Sequence, residues 1–479
     1  MKPLDLPIVG GSYRGVSSVI SPEVCRNFRI EEGPEGLNLV GTPGLTLRAT
    51  IGNGPIRGAH RLGAYVYVVS GNEVYRMTEG HAVTLLGSLN TSTGPVSMAD
   101  NMTDVLIVDG TSSAYAIVAG TWTPVTDIDF MGATMVTYQD GYFICVVPDS
   151  ATYMLFDLYS ATSVLDTDFA VVENQPRQLR AAISDHHELW LLKESSGAVH
   201  FNSGDPDFPF TPMQAGNMES GIAAPFSLCK FDNSLMWLSS NEHGHGQVVQ
   251  AAGGYTPVVI SPTPVSWHIS RYSRIDDAFA FSYKTEGHEV YVLTFPTANR
   301  TWCYDAVTKM WNLWSSNLDD DAESRHRANC HCFAFGRHYV GDYASGMLYT
   351  IESDVYTENG APIIRDRITV NMSDKEKMIR FAEVEVTAEV GVGISGGSGD
   401  ALAPQLMLRW SKNGGKTWSS ELTRSLGRVG EYAKRLVWRK LGRSRQWAFW
   451  LRVSAPVKVV ITGAIGRRRD DADEARESA

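Results

Sequence analysis

Residues Ile56–Leu86, IRGAHRLGAYVYVVSGNEVYRMTEGHAVTLL, decide the fold. Four short apolar runs follow one another there: Ile56–His60, Tyr65–Val69, Glu73–Met77 and Val83–Leu86. β-Branched and aromatic residues dominate the runs, and Gly and Asn stand at the breaks, so each run predicts a strand and each break a tight hairpin. The unit recurs. A second reads Val96–Ala99, Val105–Val108, Ala114–Val118 and Trp122; a third Met135–Thr137, Tyr142–Val146 and Thr152–Leu155. A fourth has Leu179–Ala182, Leu189–Leu192 and Ala198–Phe201, and a fifth Ser227–Cys229, Leu235–Leu238 and Val248–Gln250. A sixth has Ala278–Phe281, Val290–Leu293 and Thr301–Asp305, with Trp311 and Trp314 on its outer strand. A weaker seventh has His331–Ala334, Tyr339–Gly341 and Met347–Thr350. Three or four strands per unit at a spacing of roughly 40 residues predict a β-propeller. Seven blades fit the count, with six the close alternative, and the strand Leu45–Thr50 is placed to complete the weak last blade and close the ring. A stacked array of sandwiches would not repeat so evenly.

Beyond the repeats, Leu406–Ile465 carries a different pattern. Leu406, Leu408 and Trp410 alternate with other residues, the period of a strand with one buried face. The following Ser411-Lys412-Asn413-Gly414-Gly415-Lys416-Thr417-Trp418 resembles the Asp-box, S-x-D-x-G-x-T-W, of sialidase-type propellers, with Asn413 at the Asp position. In those proteins the box shapes a turn and carries no catalysis. Here Ser411, Asn413, Gly415, Thr417 and Trp418 predict a tight turn, with Thr417 and Trp418 starting the return strand. Arg435–Arg439, Trp447–Val453 and Val457–Thr462 read as further strands, the second with Trp447, Phe449, Leu451 and Val453 on one face. Leu441–Arg445 reads as a basic turn. The domain is expected to be an antiparallel β-sandwich. Its Arg439, Lys440, Arg443 and Arg445 are either a solvated face or a docking surface for an acidic neighbour.

Charge divides the chain. The 479 residues carry a net −11. Residues 1–364 hold 20 Lys and Arg against 39 Asp and Glu, a balance of −19; residues 365–469 hold 21 against 9, a balance of +12; residues 470–479 hold 1 against 5, a balance of −4. Such segregation marks a domain boundary. The expected organisation is an extended segment over 1–50, with five prolines; a propeller over 51–360; a basic sandwich over 361–469; and a charged, disordered tail over 470–479. An acidic body argues against a general duplex-binding surface, which must neutralise phosphates. It is compatible with a channel wall that DNA slides past.

The chemistry-bearing residues exclude more than they suggest. No apolar run approaches the roughly 20 residues of a membrane helix, and no basic segment with a long apolar stretch opens the chain, so folding in a cytoplasm is expected. Six scattered cysteines are expected to be reduced and buried. Cys330-His331-Cys332 has no second pair nearby, and alternation in a strand puts both thiols on one packed face. His186-His187 and His243-Gly244-His245 read as polar turns, and Leu318–Arg327, with three consecutive Asp, as a charged insertion. There is no Walker loop, H-E-x-x-H, G-x-S-x-G or dinucleotide fingerprint. No cofactor and no catalytic activity are expected. The alternative class is a carbohydrate-binding or glycan-cleaving propeller.

Several blocks, in order, resemble the tail hub (nozzle) proteins of short-tailed bacteriophages, also called packaged-DNA stabilisation or tail accessory proteins. They are Asn27-Phe28 with Glu31, Gly41–Leu45, Glu219–Ser227, Gly287–Pro296, Thr301–Asp305 with Trp311, Val340–Gly346 and, most closely, Arg409–Val453. The resemblance implies a propeller with a β-sandwich-like domain and a homohexameric ring in the virion tail. That ring would lie below the portal and its adaptor ring, continue the DNA channel, hold the packaged genome in, and offer sites to tail fibres, spikes and a plug or needle protein. It implies no membrane insertion and no sequence-specific DNA contact.

Overall fold

The computed structural model describes residues 2–173, 177–241, 244–251, 253–316, 324–375 and 377–469. The core of the charged insertion (317–323), His243 of the second His pair and the acidic tail (470–479) lie outside the described residues.

Among the described residues, seven successive sheets form the propeller. Blade 1 is Ile56–Leu62, Tyr65–Ser70, Glu73–Thr78 and Val83–Ser88, each strand antiparallel to the next. Blades 2, 3 and 4 begin at Ser97–Asp100, Met135–Gln139 and Leu179–Asp185. Blade 5 has a divided first strand, Gly221–Ile222 and Cys229–Phe231, both paired to Ser234–Asn241. Blade 6 is Phe279–Thr285, His288–Phe295, Arg300–Asp305 and Trp311–Trp314. Blade 7 is Ala328–Ala334, Arg337–Asp342 and Met347–Glu352, and its outer strand is Gly44–Thr50. The last blade is thus finished from the N-terminal side of the chain, and Arg48 pairs with Glu352 across that closure. Ala328–Ala334 returns beside Ile56–Leu62, and Val66 and Val68 of blade 1 bury against Tyr339 and Leu348 of blade 7.

The hairpin between the first and second strands recurs as a two-residue turn. Its residues have positive φ at Asp140-Gly141, His186-His187, Asp232-Asn233, Glu286-Gly287 and Phe335-Gly336. Positive φ at both positions is the mark of a type I′ turn, one of the two turn types whose twist matches that of the flanking strands. The His186-His187 pair is therefore a turn, joining Asp185 to Glu188 in register.

The second domain stacks two sheets. One holds Phe28–Gly33, Gly36–Gly41, Val460–Arg469, Ile379–Ala388 and Leu436–Ser444, with Lys2–Asp5 beside Val460–Arg469. The other holds Arg365–Ile368, Gln446–Val453, Gln405–Ser411 and Leu422–Ser425. Between them lie Phe28, Phe381, Trp438, Trp447, Phe449 and Leu451, all fully buried. The second sheet does not end at the domain edge. Val24–Arg26 pairs antiparallel to Arg365–Ile368 and parallel to Trp311–Trp314 of blade 6, so one ten-stranded sheet runs through both bodies. The strands of the first fifty residues divide between the two: Lys2–Asp5 and Phe28–Gly41 join the sandwich, Gly44–Thr50 the propeller.

Four details differ from the sequence reading. The return strand after the Asp-box begins at Leu422, not Thr417, because residues 412–421 make a detour. The basic turn at Leu441–Arg445 is mostly strand: Leu436–Ser444 runs through it, and only Arg445 turns. The last strand is Val460–Arg469, three residues later at its start and seven longer at its end than expected. Blade 3 has a fourth, outer strand, Phe169–Val171, beyond the three runs read in its sequence.

Candidate docking surface and interdomain joint

Arg439, Lys440, Arg443 and Arg445 are all exposed, and the fold treats them unequally. Arg439 lies in a ladder of ion pairs across the sheet: its Nε is 3.2 Å from Glu383, which also holds Arg467 at 2.9 Å, while Arg435 grips Glu385 with two bonds of 2.7 Å. The Arg435 guanidinium holds the Glu385 carboxyl below the usual range. Lys440 has φ 63° and Gly442 φ 92°. The ladder between Leu436–Ser444 and Ile379–Ala388 slips at Phe381/Glu383, the form of a β-bulge that re-aims the side chains beyond it. Past the slip, Arg443 stands opposite Arg380, a like-charge pair that disfavours the isolated sheet. Among the described residues no carboxylate pairs with Lys440, Arg443 or Arg445. These three, rather than Arg439, are the free cations.

The Asp-box is a closed turn. The Ser411 hydroxyl accepts from the Gly415 N–H at 2.9 Å and donates to Asn413 Oδ1 at 3.0 Å; the same oxygen accepts from the Thr417 N–H at 2.9 Å. With Asn in place of Asp, the side-chain amide also donates to Thr417 Oγ1 at 2.8 Å. Gly414 and Gly415 have φ of 69° and 79°, and any side chain there would meet Val19 and Pro22 of the N-terminal segment. Trp418 packs edge-on to Trp450. The motif fastens the N-terminal segment to the sandwich, with Asn371 Nδ2 donating to the carbonyls of Ser18 and Val19.

Behind this surface lies the joint, and here several of the blocks quoted above converge. Asn27 has φ 54° and is buried. Its side chain donates to the carbonyls of Ser315 and Ile364 and accepts from the Ser315 N–H, tying the end of blade 6 to the strand that enters the sandwich. His288 bridges Asp305 (2.8 Å) and Glu31 (3.0 Å), linking blade 6 to the hairpin Phe28–Gly41.

Sequence reading missed the charged strand at the centre of the joint. Arg365, Asp366 and Arg367 are each 0% exposed. Asp366 accepts from Arg26 (2.6 Å), Arg452 (2.7 Å) and the Trp450 indole (2.8 Å). Arg367 donates to the carbonyls of Ile8 and Gly11 and pairs with Glu23 at 2.6 Å. Among the described residues Arg365 reaches two carbonyls, at 3.4 and 3.5 Å, and burial pulls its guanidinium down to about 10. The available signal was R-D-R inside an otherwise apolar strand: a charged residue on both faces must find partners or stay wet.

Among the described residues no group of His, Cys, Asp and Glu is placed to hold a metal ion. Cys330 and Cys332 share one blade 7 strand, and burial pushes both thiols up to about 12. No described helix is long and apolar enough to cross a membrane.

Comparison with known proteins accords with this architecture. Residues 24–356 match the family model described as bacteriophage P22 Gp10, beta-propeller, and residues 365–466 the one described as bacteriophage P22 Gp10, beta-sandwich. No curated protein matches the sequence. Among solved structures the chain is similar to PorZ, a surface component of the type-IX secretion system of Porphyromonas gingivalis, at 12% identity over 71% of this chain, with a TM-score of 0.39. It spans 44% of the PorZ chain. It is also similar to the WD40 propeller of Doa1 (13% identity, 65% of this chain and 97% of that one, TM-score 0.41) and to BamB from Moraxella catarrhalis (9%, 73% and 96%, 0.39). The two family matches cover both domains in order, and the chain belongs to the bacteriophage P22 Gp10 family, tail hub proteins of short-tailed phages and structural components of the virion tail.

Proposed function

We propose that copies of this chain assemble, in the cytoplasm of the host bacterium, into a homohexameric ring below the portal and its adaptor. The ring continues the DNA channel, retains the packaged genome, and carries tail fibres or spikes and a plug or needle protein on its accessible surfaces. Its role is structural rather than catalytic, and DNA passes it without sequence-specific contact. The observation that carries this reading is the division of charge across a shared sheet: an acidic propeller joined to a basic sandwich whose Lys440, Arg443 and Arg445 have no partner within the described chain. Exposed unpaired cations contribute little to the fold of one chain, but they steer and align an acidic neighbour.

Reversing them tests the reading. The triple variant Lys440→Glu, Arg443→Glu, Arg445→Glu is expected to unfold within about 0.5 kcal/mol of the parent. Electron microscopy and native mass spectrometry should show rings, and adaptor binding, for the parent and neither for the variant. Rings of unchanged size and adaptor affinity in the variant would discard this docking surface; a parent that stays monomeric beside the adaptor would discard the ring.

A further inference from the structure

At the end of the propeller where the first strands begin lies a cavity of about 720 Å³, walled by every blade except the third. That volume is within the range of small-molecule sites. Its charge runs against that of the body around it. Four arginines, Arg57, Arg180, Arg274 and Arg325, line it against two aspartates, Asp276 and Asp277, inside a region whose overall balance is −19.

Three of the arginines are already engaged. Arg57 places its donors on the carbonyls of Gly71, Thr91, Thr93 and Gly94 and on the Thr91 hydroxyl, and so braces the approach to blade 2. Arg274 closes on Asp276 with bonds of 2.7 and 3.1 Å. Arg325 is different. It is 6% exposed, its guanidinium lies 4.0 Å over the Tyr343 ring, and its one side-chain hydrogen bond goes to Asn329 at 3.0 Å. Its Nε has no acceptor, and among the described residues no carboxylate pairs with it. Arg180 forms an ion pair with Glu194 at 3.7 Å, although its Nε makes no hydrogen bond. In the same wall Asp277 uses Oδ2 on the Thr297 N–H and hydroxyl and leaves Oδ1 with no donor. The partly exposed ring of Phe279 lies between these groups in sequence and within 5.5 Å of Arg325.

An unmatched donor, an unmatched acceptor and an apolar ring within one cavity ask for a ligand that offers all three complements. A bare phosphate would leave the apolar ring uncovered, and a neutral sugar, although its hydroxyls both donate and accept, would leave the charge of the buried guanidinium uncompensated. We propose that the cavity binds an acidic sugar, its carboxylate against Arg325, a ring hydroxyl donated to Asp277 and its C–H face on Phe279, with Arg180 adding positive charge at the rim. Burial draws the Arg325 guanidinium down to about 10, so it stays protonated at neutral pH while poorly solvated, and a carboxylate would restore the lost solvation. The site lies within one chain and does not depend on the ring.

Titration calorimetry of the full chain with galacturonate, galactose and inorganic phosphate separates the possibilities. Galacturonate should bind at least about tenfold tighter than galactose, and Arg325→Gln should abolish that difference, since each unmatched buried polar group discriminates by about this much. Phosphate should compete weakly. Equal binding of the two sugars, undiminished galacturonate binding in Arg325→Gln, or phosphate competing as well as galacturonate would each overturn the proposal. If Arg325→Gln does not fold, Arg180→Gln and Asp277→Asn decide: the first should weaken galacturonate alone, the second both sugars, and no change in either variant rejects the site.

Discussion

Blade 4 of the propeller buries His200 as a neutral imidazole against the Tyr153 hydroxyl, 3.0 Å away, whereas the sandwich buries Asp366 and Arg367 in ion pairs, with Arg365 beside them. The contrast extends to whole domains. All 12 histidines fall between residues 60 and 338 and none in the basic domain. Apolar contacts between sheets fill most of the propeller, and burial lowers His200, His326 and His331 there, although single cations such as Arg57 and Arg325 are buried in it too. The sandwich, joined by its second sheet to blade 6, locks that joint with a network of buried ion pairs. An ion removed from such a network leaves its partner buried and unmatched, while an apolar seam loses only the contacts of the group removed.

The largest effect should therefore come from Asp366→Ala. It strands Arg26 and Arg452 without their shared carboxylate, and an uncompensated buried charge costs about 3–5 kcal/mol. Urea denaturation followed by Trp fluorescence should show this loss; a change under 1 kcal/mol would erase the contrast between the domains. Next, Leu45→Ala opens the closing strand of blade 7, where Leu45 is 2% exposed beside Val340 and Tyr349. A buried Leu-to-Ala change costs about 2–4 kcal/mol, and hydrogen exchange should place the loosening in blades 6, 7 and 1, with the sandwich sheets still protected.

Acid should distinguish the domains a third way. Burial lowers His200 from 6.5 to about 4 in the folded chain. The unfolded chain thus binds a proton between these values that the folded one does not, so stability is full above pH 6.5 and falls as pH drops toward 4. At pH 5 the deficit from this one residue is about 2 kcal/mol. His326 and His331, lowered by burial to about 3, act in the same direction. Exchange measured at pH 7 and pH 5 should weaken protection in blades 3 and 4 before the sandwich, and His200→Gln should flatten the pH dependence there. The smallest change is Asn413→Ala, which removes the two bonds to Thr417 and the one from Ser411 and should cost about 1 kcal/mol, read as a lower melting temperature with the sheets intact.

How much of this was legible beforehand depends on the range of the interaction. The blades were legible because each is a run of consecutive hairpins, so the apolar runs and the turn residues that form it are neighbours in sequence. The Asp-box was legible as a turn for the same reason, although its return strand was placed five residues early, because nothing local marks how far the loop runs before pairing resumes. The basic corner was legible in composition only. Which of its four cations are free depends on Glu383, more than fifty residues upstream, and on a register slip that no periodicity shows. The cavity lay beyond sequence reading: Arg180, Asp277 and Arg325 come from blades 4, 6 and 7, and each alone reads as an ordinary surface charge.

Alternating apolar runs and turn residues were enough, by themselves, to predict a propeller of six or seven units, a β-sandwich after it, and the opposite charges of the two, since these follow from the local preferences of the chain and from counting; the structure settled on seven. Only the tertiary structure decided that Val24–Arg26 would splice both bodies into one sheet, that R-D-R would sit fully buried at that splice, and that an acidic propeller would hold a cationic cavity at its centre. The physical reason is common to all three. The partners lie as much as 359 residues apart in the chain, and burial, which sets the worth of a charge, is a property of the assembled sheets rather than of any segment within them.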